Sequence, residues 1–138
     1  MLQVAERVAV ARQYDVIVSF DLARGMLRVV EDRDNDGVVD ASERVTWRAL
    51  EDEAQFATPP AGIGGTVGAP VTGGNVSTIN GMPSVIFRRN GAASTDLEIY
   101  MNAGRPRLSD FRGISVVQST GRTEWFRYLN SQWKGAGL

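Results

Sequence analysis

The chain of 138 residues contains neither cysteine nor histidine. The missing cysteines exclude disulfide bonds and thiol nucleophiles, and the missing histidines exclude imidazole bases and the usual zinc sites. Lysine is nearly absent as well, since Lys134 is the only one. The acid/base pairs that remain are Asp96 with Glu98 and Asp110 with Arg112. Because no nucleophile-and-base set can be assembled from these residues, the sequence favours a protein without catalytic residues.

Length and composition are those of one globular domain. With 43% hydrophobic residues, the chain is long enough to bury its own core. Its net charge is −1, so no overall field draws it to nucleic acid or to an acidic membrane. The charge is nevertheless uneven, because residues 31–53 are acid-rich and the second half is basic. Neither a signal peptide nor a membrane span is visible within these residues.

The spacing of the apolar residues predicts one helix followed by strands. Leu2, Ala5 and Ala9 recur at helical spacing in residues 2–13, which indicates an amphipathic helix. Downstream, β-branched and apolar runs between turn residues predict strands at 15–20, 26–30, 44–48, 85–89, 97–101, 114–118 and 125–128. We therefore predict an α+β fold in which the N-terminal helix packs on antiparallel β-sheets of about seven strands.

The predicted organisation is a single domain over residues 1–138. Residues 1–13 form the helical segment, 15–50 a first β-region, and 83–133 a C-terminal β-region. Between them, residues 55–82 are rich in Gly and Pro and predict a long surface loop with a short strand near 74–79. This loop is not a phosphate cradle, because no Lys follows its glycines and no strand leads there into a helix.

The sharpest chemical motif is the acidic loop, residues 32–43. Its carboxylates stand at positions one, three, five, nine and twelve, with Gly37 at six, which is the spacing of an EF-hand calcium loop. The predicted ligands are the side chains of Asp32, Asp34, Asp36, Asp40 and Glu43 with the backbone carbonyl of Val38. An EF-hand has helices on both sides, whereas these flanks are predicted strands. The alternative is a solvated acidic hairpin loop without an ion.

The order of motifs resembles the globular domain of the GspH/FimT-type pseudopilins, which are minor pilins of type II secretion and type IV pilus machines. The resemblance rests on a leading helix, a strand carrying Phe, a Gly-containing turn, a strand of alternating apolar residues, and a strand that ends in Ser-x-Gly-Arg. Here these are Ile86-Phe87, Asn90-Gly91, Leu97-Ile99-Met101 and Ser119-Thr120-Gly121-Arg122.

This resemblance implies an assembly role and no enzyme activity. Family members are single-pass proteins of the bacterial inner membrane, trimmed and methylated at the N-terminus by a prepilin peptidase. Their globular domain lies in the periplasm or on the cell surface, where it packs against other pilin or pseudopilin subunits. We therefore expect an apolar membrane helix upstream of Leu2. The start inside a helical pattern indicates a truncation, with Met1 supplied by a vector.

Two alternatives remain open from the sequence. Some FimT-like members bind DNA through a Gly-Arg-x-Arg motif, but here Gly121-Arg122-Thr123-Glu124 has Glu in place of the second Arg. A DNA site would then consist of Arg112, Arg122, Arg127 and Lys134. The alternative for these four residues is that their charges only keep strand edges solvated. Independently, Trp133 near the C-terminus is a candidate docking residue for a neighbouring subunit. The second alternative is a secreted, calcium-stabilised β-domain unrelated to pili.

Overall fold

One helix and ten strands are found in the described part of the chain, which in this computed structural model comprises residues 2–50, 54–57, 59, 62, 70, 76–102, 111–129 and 132–135. The helix is α1 (Leu2–Arg12). The strands are β1 (Asp15–Asp21), β2 (Met26–Asp32), β3 (Val45–Ala49), β4 (Gln55–Phe56), β5 (Thr78–Ile79), β6 (Met82–Phe87), β7 (Leu97–Asn102), β8 (Arg112–Val116), β9 (Thr123–Leu129) and β10 (Gln132–Gly135).

The strands form two antiparallel sheets of five strands each. The first has the order β3-β2-β1-β6-β5, and the second has the order β10-β9-β8-β7-β4. This confirms the predicted α+β class with antiparallel sheets. The strand β5 lies within the short strand predicted near 74–79, whereas β4 and β10, which have only two and four residues, were not predicted. Such short runs carry too little periodicity to be recognised in a sequence.

A single apolar cluster lies where the helix and both sheets meet. From the first sheet it takes one face of β1, since Val16, Val18 and Phe20 alternate inward. Its other buried members come from α1, from β6 and its neighbours, and from the second sheet: Leu2, Ala5, Ala9, Val76, Val85, Phe87, Ala93, Leu97, Ile99, Ile114 and Val116. The helical stripe predicted from Leu2, Ala5 and Ala9 is thus buried in this cluster.

Aromatic residues pack on the other face of the second sheet. The ring of Trp133 lies 5.3 Å from that of Tyr100 and 5.1 Å from that of Tyr128, centroid to centroid. Tyr100 and Tyr128 are both buried. Trp133, which the sequence suggested as a docking residue, therefore packs half-buried within its own sheet.

Two glycine turns meet where β6 and β8 end. Gly91 and Gly121 both have positive φ, and a Cβ added to Gly121 would lie 2.3 Å from the carbonyl oxygen of Gly91. The backbone N–H of Ala93 donates to the carbonyl of Gln118 at 2.8 Å, which joins the two turns. Only glycine fits at position 121, because both the backbone conformation and the neighbouring carbonyl exclude a side chain.

Replacing Gly121 by Ala should destabilise the protein strongly. The left-handed conformation costs about 1–2 kcal/mol for Ala, and overpacking against a backbone carbonyl adds about 1–3 kcal/mol. The matched control is Gly81→Ala, where φ is +78° but no atom lies within 4 Å of the added Cβ. Urea unfolding should therefore show a clearly larger loss of unfolding free energy for G121A than for G81A. Equal losses would contradict the close approach of the two turns.

Candidate functional site

The acidic loop connects β2 to β3 at one end of the first sheet. Asp32 is the last residue of β2 and lies opposite Asp15 of β1 in the antiparallel register. At the base of the loop, the N–H of Glu31 donates to the carbonyl of Arg44 at 3.1 Å. The loop is therefore flanked by paired strands and not by the helices of an EF-hand, as the sequence indicated.

Its first and last carboxylates hold the loop backbone. Asp32 is fully buried and accepts hydrogen bonds from the N–H groups of Asp36, at 3.3 Å, and Gly37, at 2.8 Å. Both oxygens of Glu43 are also used, by the N–H of Arg33 and the N–H of Asp40, each at 2.9 Å. The carboxylates at the first and last positions of the motif thus hold the backbone of the loop in a closed conformation.

Two residues in the left-handed region shape the turn. Gly37, at position six, has φ +74°, as the sharp turn of a calcium loop requires. Asn35 has φ +57°, and its side-chain oxygen accepts from the N–H of Asp15 at 2.7 Å. Asn35 is not among the predicted ligands, and Asn is one of the few residues that adopt positive φ readily. This side chain ties the loop to β1.

The structure gathers the predicted carboxylates into two overlapping groups. Ligand oxygens of Asp32, Asp34 and Asp36 lie within 4.8 Å of one another, and so do those of Asp34, Asp40 and Glu43. Asp34 belongs to both groups. The side chain of Val38 is exposed, and its N–H donates to Asp36 at 2.9 Å; its carbonyl as a ligand stays a prediction. A hard cation such as Ca²⁺ fits this set of oxygens in charge and chemistry.

Burial and crowding perturb the carboxyl groups. Burial is the main cause that raises the pKa of Asp32 to about 7, and hydrogen bonds with Asp34 and Glu43 act in the same direction. The hydrogen bond with Asp32 lowers the pKa of Asp34, whereas the bond with Asp34 raises the pKa of Asp40. The shifts of Asp34 and Asp40 follow from acidic groups that lie close enough to share protons.

The cations predicted for DNA lie in two places. Across the second sheet, Arg127 of β9 is directly opposite both Arg112 of β8 and Lys134 of β10. Directly opposite residues share a sheet face and lie about 5 Å apart, so these three form a cationic row. Trp125 is exposed on the same face, two residues from Arg127.

Arg122 stands apart from the cationic row. It precedes β9, about 16 Å along the strand from Arg127 at about 3.3 Å per residue. Its guanidinium pairs with Glu124 at 2.9 Å, and Glu124 is the residue that departs from the Gly-Arg-x-Arg pattern. The structure thus brings together three of the four predicted residues.

Of the carboxylates in the acid/base pairs considered from the sequence, two accept hydrogen bonds from other groups and one lies outside the described residues. Asp96 accepts from the N–H of Gln118 at 2.8 Å, and Glu98 accepts from the hydroxyl of Tyr100. Asp110 falls outside the described residues.

Comparison with solved structures identifies the architecture. The chain superimposes on the minor pseudopilin EpsH from the Type 2 Secretion System of Vibrio cholerae with a TM-score of 0.56 and 11% sequence identity. The superposition covers 99% of this chain and 90% of that one. The fold is pilin-like. At this identity the likeness extends to the fold alone, and it does not select the GspH/FimT type.

Two other comparisons, with protein families and with curated proteins, found no match. No model of a protein family matches the chain, and no curated protein matches its sequence. Among the described residues, no helix is both long and apolar enough to cross a membrane.

Calcium should stabilise the protein through the acidic loop. A ligand that binds only the folded state adds about 2.7 kcal/mol at one hundred times its Kd. Asp34→Asn should remove most of this gain, because Asp34 belongs to both ligand groups, and its exposed side chain lets the variant keep the fold. Glu124→Gln is the control, a carboxylate outside the loop. Thermal unfolding in EGTA and in millimolar CaCl2 measures the difference, and identical curves would contradict a calcium site.

Proposed function

We propose that this protein is a structural assembly subunit, a minor pseudopilin or pilin of a type II secretion or type IV pilus system. It acts by packing against other subunits in a fibre or at its tip. The observation that carries the proposal is the superposition on a minor pseudopilin over 99% of the chain. The motif order of the C-terminal β-region supports the GspH/FimT type within this class.

The outer face of α1 supports the assembly role. Leu2, Ala5 and Ala9 already fill the core side of this helix. On its outer side, Val4 is 53% exposed and Val10 is 43% exposed. A helix that covers one core carries polar residues on its other face, so apolar residues on both sides favour contact with a second protein surface.

The proposal includes a membrane anchor. In a pilin-like subunit, α1 is the globular end of a longer helix whose apolar first half spans the inner membrane. About twenty apolar residues suffice for that span. The globular domain then lies in the periplasm or at the cell surface, and the prepilin peptidase trims and methylates the N-terminus.

Calcium would have a structural role in such a subunit. The loop 32–43 supplies carboxylate oxygens from both of its ends, so an ion bound there would link β2, β3 and, through Asn35, β1. It would also neutralise the crowded acidic groups. An extracytoplasmic compartment is rich enough in calcium for a site of moderate affinity.

Cysteine cross-linking in native cells tests the assembly role, because the chain has no cysteine of its own. Val10→Cys in the full-length gene product, labelled with the photocross-linker benzophenone-4-maleimide, should form covalent adducts with other pilin subunits on irradiation, identified by mass spectrometry. Ala9→Cys is the matched control, since Ala9 is adjacent but fully buried and should stay unreacted. Intact-mass analysis of the membrane-derived protein should show a methylated N-terminus. A mature protein without an anchor and without adducts at Val10 would overturn the proposal.

A second candidate function is DNA binding by a minor pilin. The cationic row of Arg112, Arg127 and Lys134, with the exposed ring of Trp125 beside it, favours this candidate. Aligned cations bind successive phosphates, and an exposed aromatic ring stacks on unpaired bases.

The double variant Arg127→Ala/Lys134→Ala should weaken binding of a fluorescent single-stranded oligonucleotide and flatten its salt dependence. For a single strand, the slope of log K against log salt changes by about 0.7 for each phosphate that the protein neutralises. Arg122→Ala is the control, since Arg122 is paired with Glu124 outside the row. If R122A weakens binding as much as the double variant, the row is not the site. No binding by the wild type at 50 mM salt would remove this candidate.

A further inference from the structure

A buried arginine lies in the middle of the first sheet. Arg28 of β2 is only 7% exposed, and the register places it between Ser19 of β1 and Trp47 of β3. Its Nη2 donates to the hydroxyl of Ser19 at 3.2 Å, and that hydroxyl shares a 2.7 Å hydrogen bond with Ser84 of β6. The charged head of Arg28 is thus held by one neutral hydroxyl.

No carboxylate compensates this charge within the described part of the chain. The four ion pairs found there use other arginines: Arg24, Arg44, Arg88 and Arg122. The Nε–H of Arg28 is buried without an acceptor. Burial also lowers the pKa of Arg28. An uncompensated buried cation is costly, so an anion that reached it would gain free energy by pairing with it.

The surroundings of Arg28 form a small cationic surface at the sheet edge. Trp47 is 40% exposed, and the guanidinium carbons of Arg24 and Arg28 lie 4.8 Å and 6.0 Å from its ring centroid. Among the described residues, the strand β3, which carries Trp47, pairs with β2 alone and ends the sheet. Within this described part of the chain, its outer edge has backbone N–H and C=O groups without strand partners.

We propose that this edge, formed by β3 with Trp47, Arg24 and Arg28, is a docking surface for an extended acidic segment of a partner protein. The segment adds to β3 as a further strand, and one of its carboxylates binds Arg28 beside the ring of Trp47. The site does not depend on the assembly role proposed above, because any partner with this chemistry would fit it.

Charge and geometry both select such a segment. A guanidinium is planar and matches a carboxylate, with which it forms short charge-assisted hydrogen bonds. Strand addition supplies backbone hydrogen bonds for affinity, while one side-chain pocket supplies specificity. Arg48, exposed on β3, adds positive charge that favours an acidic strand over a neutral one.

Peptide titration of the 138-residue protein tests the inference. The probes are acetyl-Thr-Val-Glu-Val-Thr-amide and its Gln counterpart, observed through the Nε–Hε signal of Arg28 by NMR. The Glu peptide should shift this signal saturably and bind at least tenfold more tightly than the Gln peptide. Equal shifts from both peptides, or tighter binding of inorganic phosphate or of an oligonucleotide than of the Glu peptide, would overturn the proposal.

The variant Arg28→Met separates binding from stability. Because it removes an uncompensated buried charge and keeps most of the side-chain volume, R28M should raise the Tm while abolishing the preference for the Glu peptide. Arg48→Met, which removes an exposed charge from the same edge, should leave the Tm unchanged and keep the preference. A lower Tm for R28M would mean that Arg28 makes a stabilising contact within the folded chain, and it would contradict the proposal.

Acidic residues of the chain itself are the competing occupant. Glu51, Asp52 and Glu53 follow β3 directly in the sequence. In the variant Glu51→Gln/Asp52→Asn/Glu53→Gln, the Nε–Hε signal of Arg28 should keep its position without peptide. A shift as large as that caused by the Glu peptide, in the opposite direction, would assign the site to this segment and not to a partner.

Discussion

Strand β1 is paired on both edges and buried on both faces, and the other parts of the structure depend on it. Because side chains alternate along a strand, Val16, Val18 and Phe20 of β1 all point into the apolar cluster shared with α1 and the second sheet. The opposite face presents Asp15 and Ser19, which are also buried. A polar group buried in this position must find partners, and each of these two organises a separate region of the surface.

Asp15 and Ser19 connect β1 to the acidic loop and to the cationic edge near β3. The N–H of Asp15 donates to Asn35 and so holds the acidic loop, while its carboxylate accepts from the N–H of Arg89 at 3.1 Å. Ser19 holds Arg28 at the start of the cationic surface near β3. The acidic loop and the cationic edge are thus both connected to β1, one through Asp15 and the other through Ser19.

Much of the fold could be predicted from the residues alone. Helical spacing located α1, and β-branched runs located seven of the strands, because burial imposes a period of 3.6 or 2 on the sequence. The spacing of the acidic loop predicted which carboxylates would converge, since loop ligands are close in sequence. The short strands β4 and β10 escaped prediction because neighbours in the sheet, and not local pattern, make them strands.

What the sequence by itself determined is local: the class of the fold, the position of its elements and the turns that only Gly37 and Gly121 permit. Tertiary structure decided the rest. Pairing of β8, β9 and β10 aligned Arg112, Arg127 and Lys134 in a row while leaving Arg122 with Glu124. Pairing of β1 with β2 and β6 placed Arg28 beside Ser19 and Ser84, and its Nε–H is buried without an acceptor among the described residues. The reason is that register and sheet order join residues far apart in the chain, and no local pattern encodes this pairing.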